Sequence, residues 1–182
     1  RAVEHGLDRG WGSHGLPFIG SCDWNDGFDR VGSGGRGESV WLAQFMRMIL
    51  SDFTVICKNY GDLEGAKKYS EIASELYDTL EKEAFDGDRY IRGFYDSGKK
   101  LGARGDRECE IDFLPQAFAA ISGGDPSRAK KAILLACEKL WDRENSVVKL
   151  FTPPFSGSGD DPGYIIRYCD GFRENGGQYT HA

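Results

Sequence analysis

The chain has 182 residues, 40% hydrophobic and 29% charged, enough for one domain with a sizeable core and ordinary for a globular protein. Its net charge of −6, with no block of like charge, argues against a nucleic-acid partner, which needs a basic face. The 5 cysteines (Cys22, Cys57, Cys109, Cys137 and Cys169) form no C-x-x-C pair and no cluster with ligand spacing, so reduced thiols and no metal are expected.

In chain order, the first informative stretch is "SCDWNDGF", residues 21–28, which has neither helical nor strand periodicity. Three readings compete for its acids: a turn, a calcium loop, or a sugar-cleaving site. Asn-Asp-Gly is turn text. Asp23 and Asn25 could open an EF-hand loop, but Gly34 stands where the closing Glu is needed. A sugar site has its own logic, because breaking a glycosidic bond takes a carboxylic acid to protonate the leaving oxygen. The Trp24 indole face would serve as a platform for a sugar ring.

Residues 38–60 place Trp41, Phe45, Met48, Ile49, Phe53 and Ile56 on one helical stripe, with Gly61 as a stop. Gln44, Arg47, Ser51 and Asp52 interrupt its apolar run, so it reads as an amphipathic helix and not as a membrane span. Residues 62–84 repeat the pattern with Ala66, Tyr69, Ile72, Ala73, Leu76 and Leu80, and Asp62 is a candidate N-cap. Residues 88–96 switch to aromatic-rich text that predicts a small β-hairpin. A short helix over 112–122 (Leu114, Phe118, Ile121) precedes one capped by Asp125 with Pro126 at its first position. The stripe of that last helix is Ala129, Ile133, Ala136, Cys137 and Leu140. The Gly- and Pro-rich tail ends in "RENGGQYTHA", which sets Arg173, Glu174, Asn175 and His181 beside glycines, a cluster suited to hydroxyls or an anion. The fold class predicted is all-α: helical hairpins side by side, with long loops at one end that carry the chemistry.

Two long motifs go beyond these local readings. "HGLPFIGSCDWNDGFDRVGSGGRGESVW" resembles the catalytic loop of glycoside hydrolase family 94, the inverting β-glucan phosphorylases. "LFTPPF…DPGYI…RENGGQYTHA" is similar to the downstream loop of the branch acting on β-1,2-glucans. That branch holds 1,2-β-oligoglucan phosphorylase and the C-terminal domain of cyclic β-1,2-glucan synthase. The likeness runs over essentially the whole chain.

The resemblance implies an (α/α)6 barrel of which residues 1–182 are a part, cut at both ends. It implies Asp26 as general acid and Trp24, Asp23, Arg173, Glu174 and Gln178 as sugar contacts. His181 would touch phosphate, the co-substrate, and no other cofactor is implied. Phe28 and Asp29 stand where this branch usually has Met and Asn, and "YCDGFRENGG" departs from its Pro-Gly text. Asp26 must stay protonated to act, which calls for burial or a neighbouring carboxylate. The expected partners are a β-glucan oligosaccharide and phosphate, with no membrane insertion by this segment. The setting expected is cytoplasmic, free or as the cytoplasmic part of a membrane-anchored synthase. The isolated segment is expected to be inactive and to self-associate through exposed barrel edges. Two rival readings stay open: an inverting hydrolase with Glu174 as base, and a non-catalytic glucan-binding fragment.

Overall fold

The computed structural model describes residues 1–179. The frame is helical: α1 (Ala2–Leu7), α2 (Val40–Asn59), α3 (Leu63–Thr79), α4 (Phe113–Ile121) and α5 (Pro126–Leu140). Side-chain oxygens start four of these helices by accepting first-turn amides. Ser39 takes the Leu42 N–H at 3.0 Å, Asp62 takes Gly65 at 2.9 Å, Asp112 takes Leu114 at 2.8 Å, and Asp125 takes Arg128 at 2.9 Å. Pro126 follows as the first residue of α5. A π-turn, Leu80–Ala84, extends α3 to the end expected for that helix.

Helices α2 and α3 form one hairpin and α4 and α5 a second, and α4 also packs on α2. The α3 stripe is as read: Ala66, Tyr69, Ala73, Leu76 and Leu80 are buried. The α2 stripe needs correction. Its buried face is Val40, Ala43, Leu50, Thr54 and Cys57, while Ile56 is 47% exposed. Trp41 and Phe45 stack on each other at 5.4 Å and turn to Phe118 of α4, so α2 serves two neighbours with two faces. Toward α3, Phe53 meets Tyr69 edge-on at 5.4 Å and Arg47 lies over the Tyr77 ring at 5.0 Å. In α4, Leu114 is buried but Ile121 is 61% exposed. By length and composition α2 would suffice for a membrane span. It nevertheless carries Arg47, Asp52 and Lys58 and packs as a core helix.

The expected hairpin lies slightly later than 88–96. Strand β2 (Gly93–Phe94) pairs with β3 (Lys100–Leu101) and also with β1 (Glu38–Ser39), making three strands instead of two. Two further pairs were not expected: β4 (Ile111–Asp112) with β7 (Phe151–Thr152), and β5 (Trp141–Asp142) with β6 (Val147–Val148). Strands of two residues leave no periodicity to read.

Between these elements the chain is held by carboxylates aimed at backbone amides. Glu38, buried, accepts from the His14 and Leu16 N–H groups and from His14 Nδ1 at 2.6 Å, while the His14 ring stacks on Phe94. Asp96 accepts from Gly34, Arg36 and Gly37 at 2.6, 2.7 and 2.8 Å, curling the glycine-rich loop around one side chain. Glu108 accepts from the Ser156 and Ser158 amides at 2.7 and 2.9 Å and from both hydroxyls. Burial alone would raise the Glu108 carboxyl. These donors outweigh it and bring it down to about 2 from the ordinary 4.5.

A carboxyl whose folded value is depressed contributes stability that is present above its unfolded value and lost as pH falls toward the folded one. The chain therefore loses more thermal stability than its Glu108→Gln variant as pH drops from 4.5 to about 2. Melting curves at several pH values test this, and parallel losses in the two proteins would exclude the clamp.

A candidate carbohydrate-active site at the loop end

Residues 23 and 24 form a bend, Asn25 is extended, and Asp26 opens a 3-10 turn. Asn25 has φ −94° and ψ 99° and is 2% exposed. Its Oδ1 accepts from Gly27 N–H at 2.9 Å and starts the 3-10 turn Asp26–Phe28, while its own amide donates to Asp23 Oδ1 at 3.1 Å. Asp23 and Asn25 thus point inward and build the turn. Trp24 is half-buried and Asp26 is exposed. The turn and the chemical site are therefore the same object, made of alternate residues.

This corrects the expected role of Asp23. Its side chain is fully buried against Arg92, whose two terminal nitrogens each lie 2.6 Å from a carboxylate oxygen. Ser39 Oγ adds a 2.5 Å bond to Asp23 Oδ2. Burial would raise the Asp23 carboxyl, but Arg92 and Ser39 outweigh it and hold it below the usual range. Asp23 is thus turned away from any ligand. Nor is Asp26 buried. The neighbouring carboxylate that was to help keep it protonated is committed to Arg92, and what touches Asp26 is the Cys22 thiol, 3.6 Å from Oδ1. Burial, then the Asp26 charge, push that thiol up.

The second loop leaves β7 and returns to the same place. Asn175, fully buried, is its pin: Oδ1 accepts from Phe155 N–H at 2.8 Å, and Nδ2 donates to the carbonyls of Phe155 and Tyr168 at 2.9 Å. Next to it Arg173 adopts φ +50°. Its guanidinium lies over the Tyr168 ring at 4.9 Å and the Tyr179 ring at 6.0 Å. Arg173 Nε is 3.4 Å from Glu174 Oε2, close enough to pair by charge but off the hydrogen-bond line. Gln178 is exposed at the end of this turn, and His181 lies outside the described residues.

The two loops are stapled together. Asp29 Oδ1 accepts from Tyr164 N–H at 2.8 Å, and Arg30 N–H donates to Pro162 at 3.3 Å. The Trp24 and Tyr179 rings meet edge-on at 6.5 Å. Burial first and then the Asp26 charge raise the Tyr164 phenol, with smaller contributions from Tyr168, Glu174 and Asp29, and its ring meets that of Tyr168 edge-on at 6.2 Å. The structure therefore brings Trp24, Asp26, Arg173 and Glu174 to one end of the helices. An apolar groove between α1 and α2, lined by Val3, Leu7, Phe18, Phe45, Met46 and Ile49, has Arg9 as its one charged wall. It offers no acid. Among the described residues no metal-holding group of His, Cys, Asp and Glu occurs.

Sequence reading missed Arg92, Asp29, Tyr164 and Tyr168. One signal for Arg92 was present: an arginine between aliphatic and aromatic residues in "YIRGF" needs a buried acid if the strand is buried. The staple also depends on two glycines. A Cβ on Gly27 would stand 2.7 Å from Ile165 Cβ, and one on Gly163 would stand 2.1 Å from Asp29 Oδ1 and 2.6 Å from the Gly27 carbonyl. Gly163 also has φ +122°. Gly163→Ala is expected to cost on the order of 1–3 kcal/mol in denaturant unfolding and to speed amide exchange at Tyr164. An unchanged midpoint and unchanged Tyr164 exchange would show that the loops are not stapled here.

Comparison with known proteins finds relatives along the whole chain. The chain is 42% identical over its full length to the cyclic beta-(1,2)-glucan synthase NdvB of Rhizobium meliloti (strain 1021), of which it spans 6%. It is 33% identical, over 94% of its length, to the 3-O-beta-D-glucopyranosyl-beta-D-glucuronide phosphorylase of Paenibacillus borealis, of which it spans 22%. A solabiose phosphorylase from the same organism is 28% identical over 94% of the chain, with 22% of that relative spanned. The chain thus covers less than a quarter of each of these relatives. The family model of the glycosyl hydrolase 94 superfamily catalytic domain matches residues 1–182, and the helical hairpins are part of that family's helical barrel: the chain belongs to the glycosyl hydrolase 94 superfamily.

Proposed function

We propose that the protein containing this chain is an inverting glycoside phosphorylase that converts β-linked gluco-oligosaccharides, of the β-1,2 type, to α-glucose 1-phosphate, with Asp26 as general acid. The observation that carries this reading is the position of Asp26. It is the exposed acid of a turn pinned by the buried Asn25, next to Trp24 in the chain. Trp24 offers an aromatic face to the sugar, and Arg173, Glu174 and Gln178 offer charged and amide groups to its hydroxyls. His181, at the end of the second motif, is assigned to phosphate.

The chemistry follows from charge. Phosphate carries more than one negative charge near pH 7 and needs no base to attack. A phosphate oxygen bonds to the anomeric carbon from the face opposite the leaving sugar, and the glycosidic C–O bond breaks. The Asp26 proton goes to the leaving oxygen and Asp26 is left as carboxylate. Configuration inverts because one displacement occurs.

In the full-length protein, Asp26→Asn is expected to lower phosphate-dependent release of glucose 1-phosphate from β-1,2-gluco-oligosaccharides by about 10²–10⁴-fold while the melting temperature holds. Near-parental rates in that variant would remove Asp26 from the role. Free glucose released at the same rate without phosphate would mean hydrolysis instead.

A further inference from the structure

We infer that Arg92, with Asp23 as its partner, is the positioning residue of the general acid: it holds the turn that presents Asp26 and acts only through it. This rests on the phosphorylase reading of Asp26 given above.

Arg92 never meets solvent, and nothing in its place suggests a ligand contact. Its side chain is 0% exposed, and so is that of Asp23. The guanidinium touches both ends of the turn. Its terminal nitrogens grip Asp23 at one end through two 2.6 Å bonds, and its plane lies 5.0 Å from the Phe28 ring at the other. Asp26 sits between these two points. A bidentate fork fixes distance and also rotation, which a single bond does not.

The base of the fork is fixed as well. Arg92 N–H donates to Leu101 at 2.7 Å and its carbonyl accepts from Val40 at 3.2 Å, so its backbone is tied to both neighbouring segments. On its third side Nε lies 3.2 Å from Asp112 Oδ2, an ion pair off the hydrogen-bond line. Asp112 caps α4 and stands opposite Phe151 in the β4–β7 pair. Beside Phe151, Leu150 N–H donates to the Gly177 carbonyl at 2.8 Å, within the turn that carries Glu174. Through one guanidinium, the acid-bearing turn and the frame of the second loop share a reference point.

A buried ion pair is weak evidence of stabilisation, because removing the charges from water costs as much as their attraction returns. What such a pair supplies is a defined geometry, and here that geometry ends at Asp26. A catalytic group displaced by about 1 Å can lose on the order of 10²-fold in rate.

The test uses the full-length protein, with Arg92→Lys and with Asp23→Asn as the milder variant. Asp23→Asn keeps the Oδ1 that accepts the Asn25 amide and leaves Arg92 paired with Asp112, but it removes the charge and one arm of the fork. Either change is expected to lower kcat for phosphorolysis about 10–100-fold with KM changed less than about twofold. In an Asp26→Asn background the same changes should cost nothing further, because the group they position is gone. Amide exchange at Asn25 and Gly27 should quicken in Arg92→Lys whether or not the protein is active. A rise in KM with kcat intact would make Asp23 a substrate contact and overturn the inference. So would an equal loss in the Asp26→Asn background, or unchanged exchange at Asn25 and Gly27. A parent with no phosphate-dependent activity would instead overturn the functional reading, and the exchange measurement would still decide whether Arg92 holds the turn.

Discussion

A single buried guanidinium organises the functional end of this molecule. Arg92 stands where the first loop, the β1–β2–β3 sheet and the start of α4 come together, and it contacts Asp23, Phe28 and Asp112. Two acids compete for one cation, with unequal results. Asp23 has both short bonds and stays low. Asp112 has the longer contact, and burial, only partly offset by Arg92 and the Leu114 amide, pushes it up to about 6. The asymmetry ties the cation most firmly to the loop that would otherwise have the least structure.

The loops owe their shape to the same chemistry repeated with backbone donors. Glu38, Asp96 and Glu108 each collect two or more amides; the neutral Asn25 and Asn175 accept one each, and Asn175 also donates to two carbonyls. Long segments without helix or strand have many N–H groups to satisfy, and short polar side chains are the means available. The cost is that these acids and amides are unavailable for ligand. Among the described residues of the two motifs, Asp26, Trp24, Arg173, Glu174 and Gln178 are not used in this way, and Asp26 is the exposed acid of residues 23–26.

The helices and the site were legible to different degrees. Caps at Asp62 and Asp125, the stop after α2 and the stripe of α3 are local events, decided within a few residues, and they could be read directly. The α2 stripe was misjudged because a helix flanked by two neighbours needs apolar residues on two faces, and large aromatics drew the reading to the face that meets α4. Ala43, Thr54 and Cys57 carry little hydrophobic signal, yet they are buried with Val40 and Leu50. The β4–β7 and β5–β6 pairs were missed for a plainer reason, since two residues make no period.

In the first loop, residue types and spacing left Asp23 and Asp26 as a pair of acids around Trp24, open to turn and sugar-site readings, and the long motifs pointed to the family. Which acid of the pair faces outward was not in the text. Asp23 and Asp26 are equal as letters. They become different only when a residue 69 positions away folds in beneath one of them and satisfies it. Likewise Asp29 and Tyr164, 135 positions apart, meet only because Gly27 and Gly163 let two backbones come close. Local sequence sets turns and caps because their partners are near along the chain. The direction of a side chain depends on what lies behind it, and that is decided by tertiary packing.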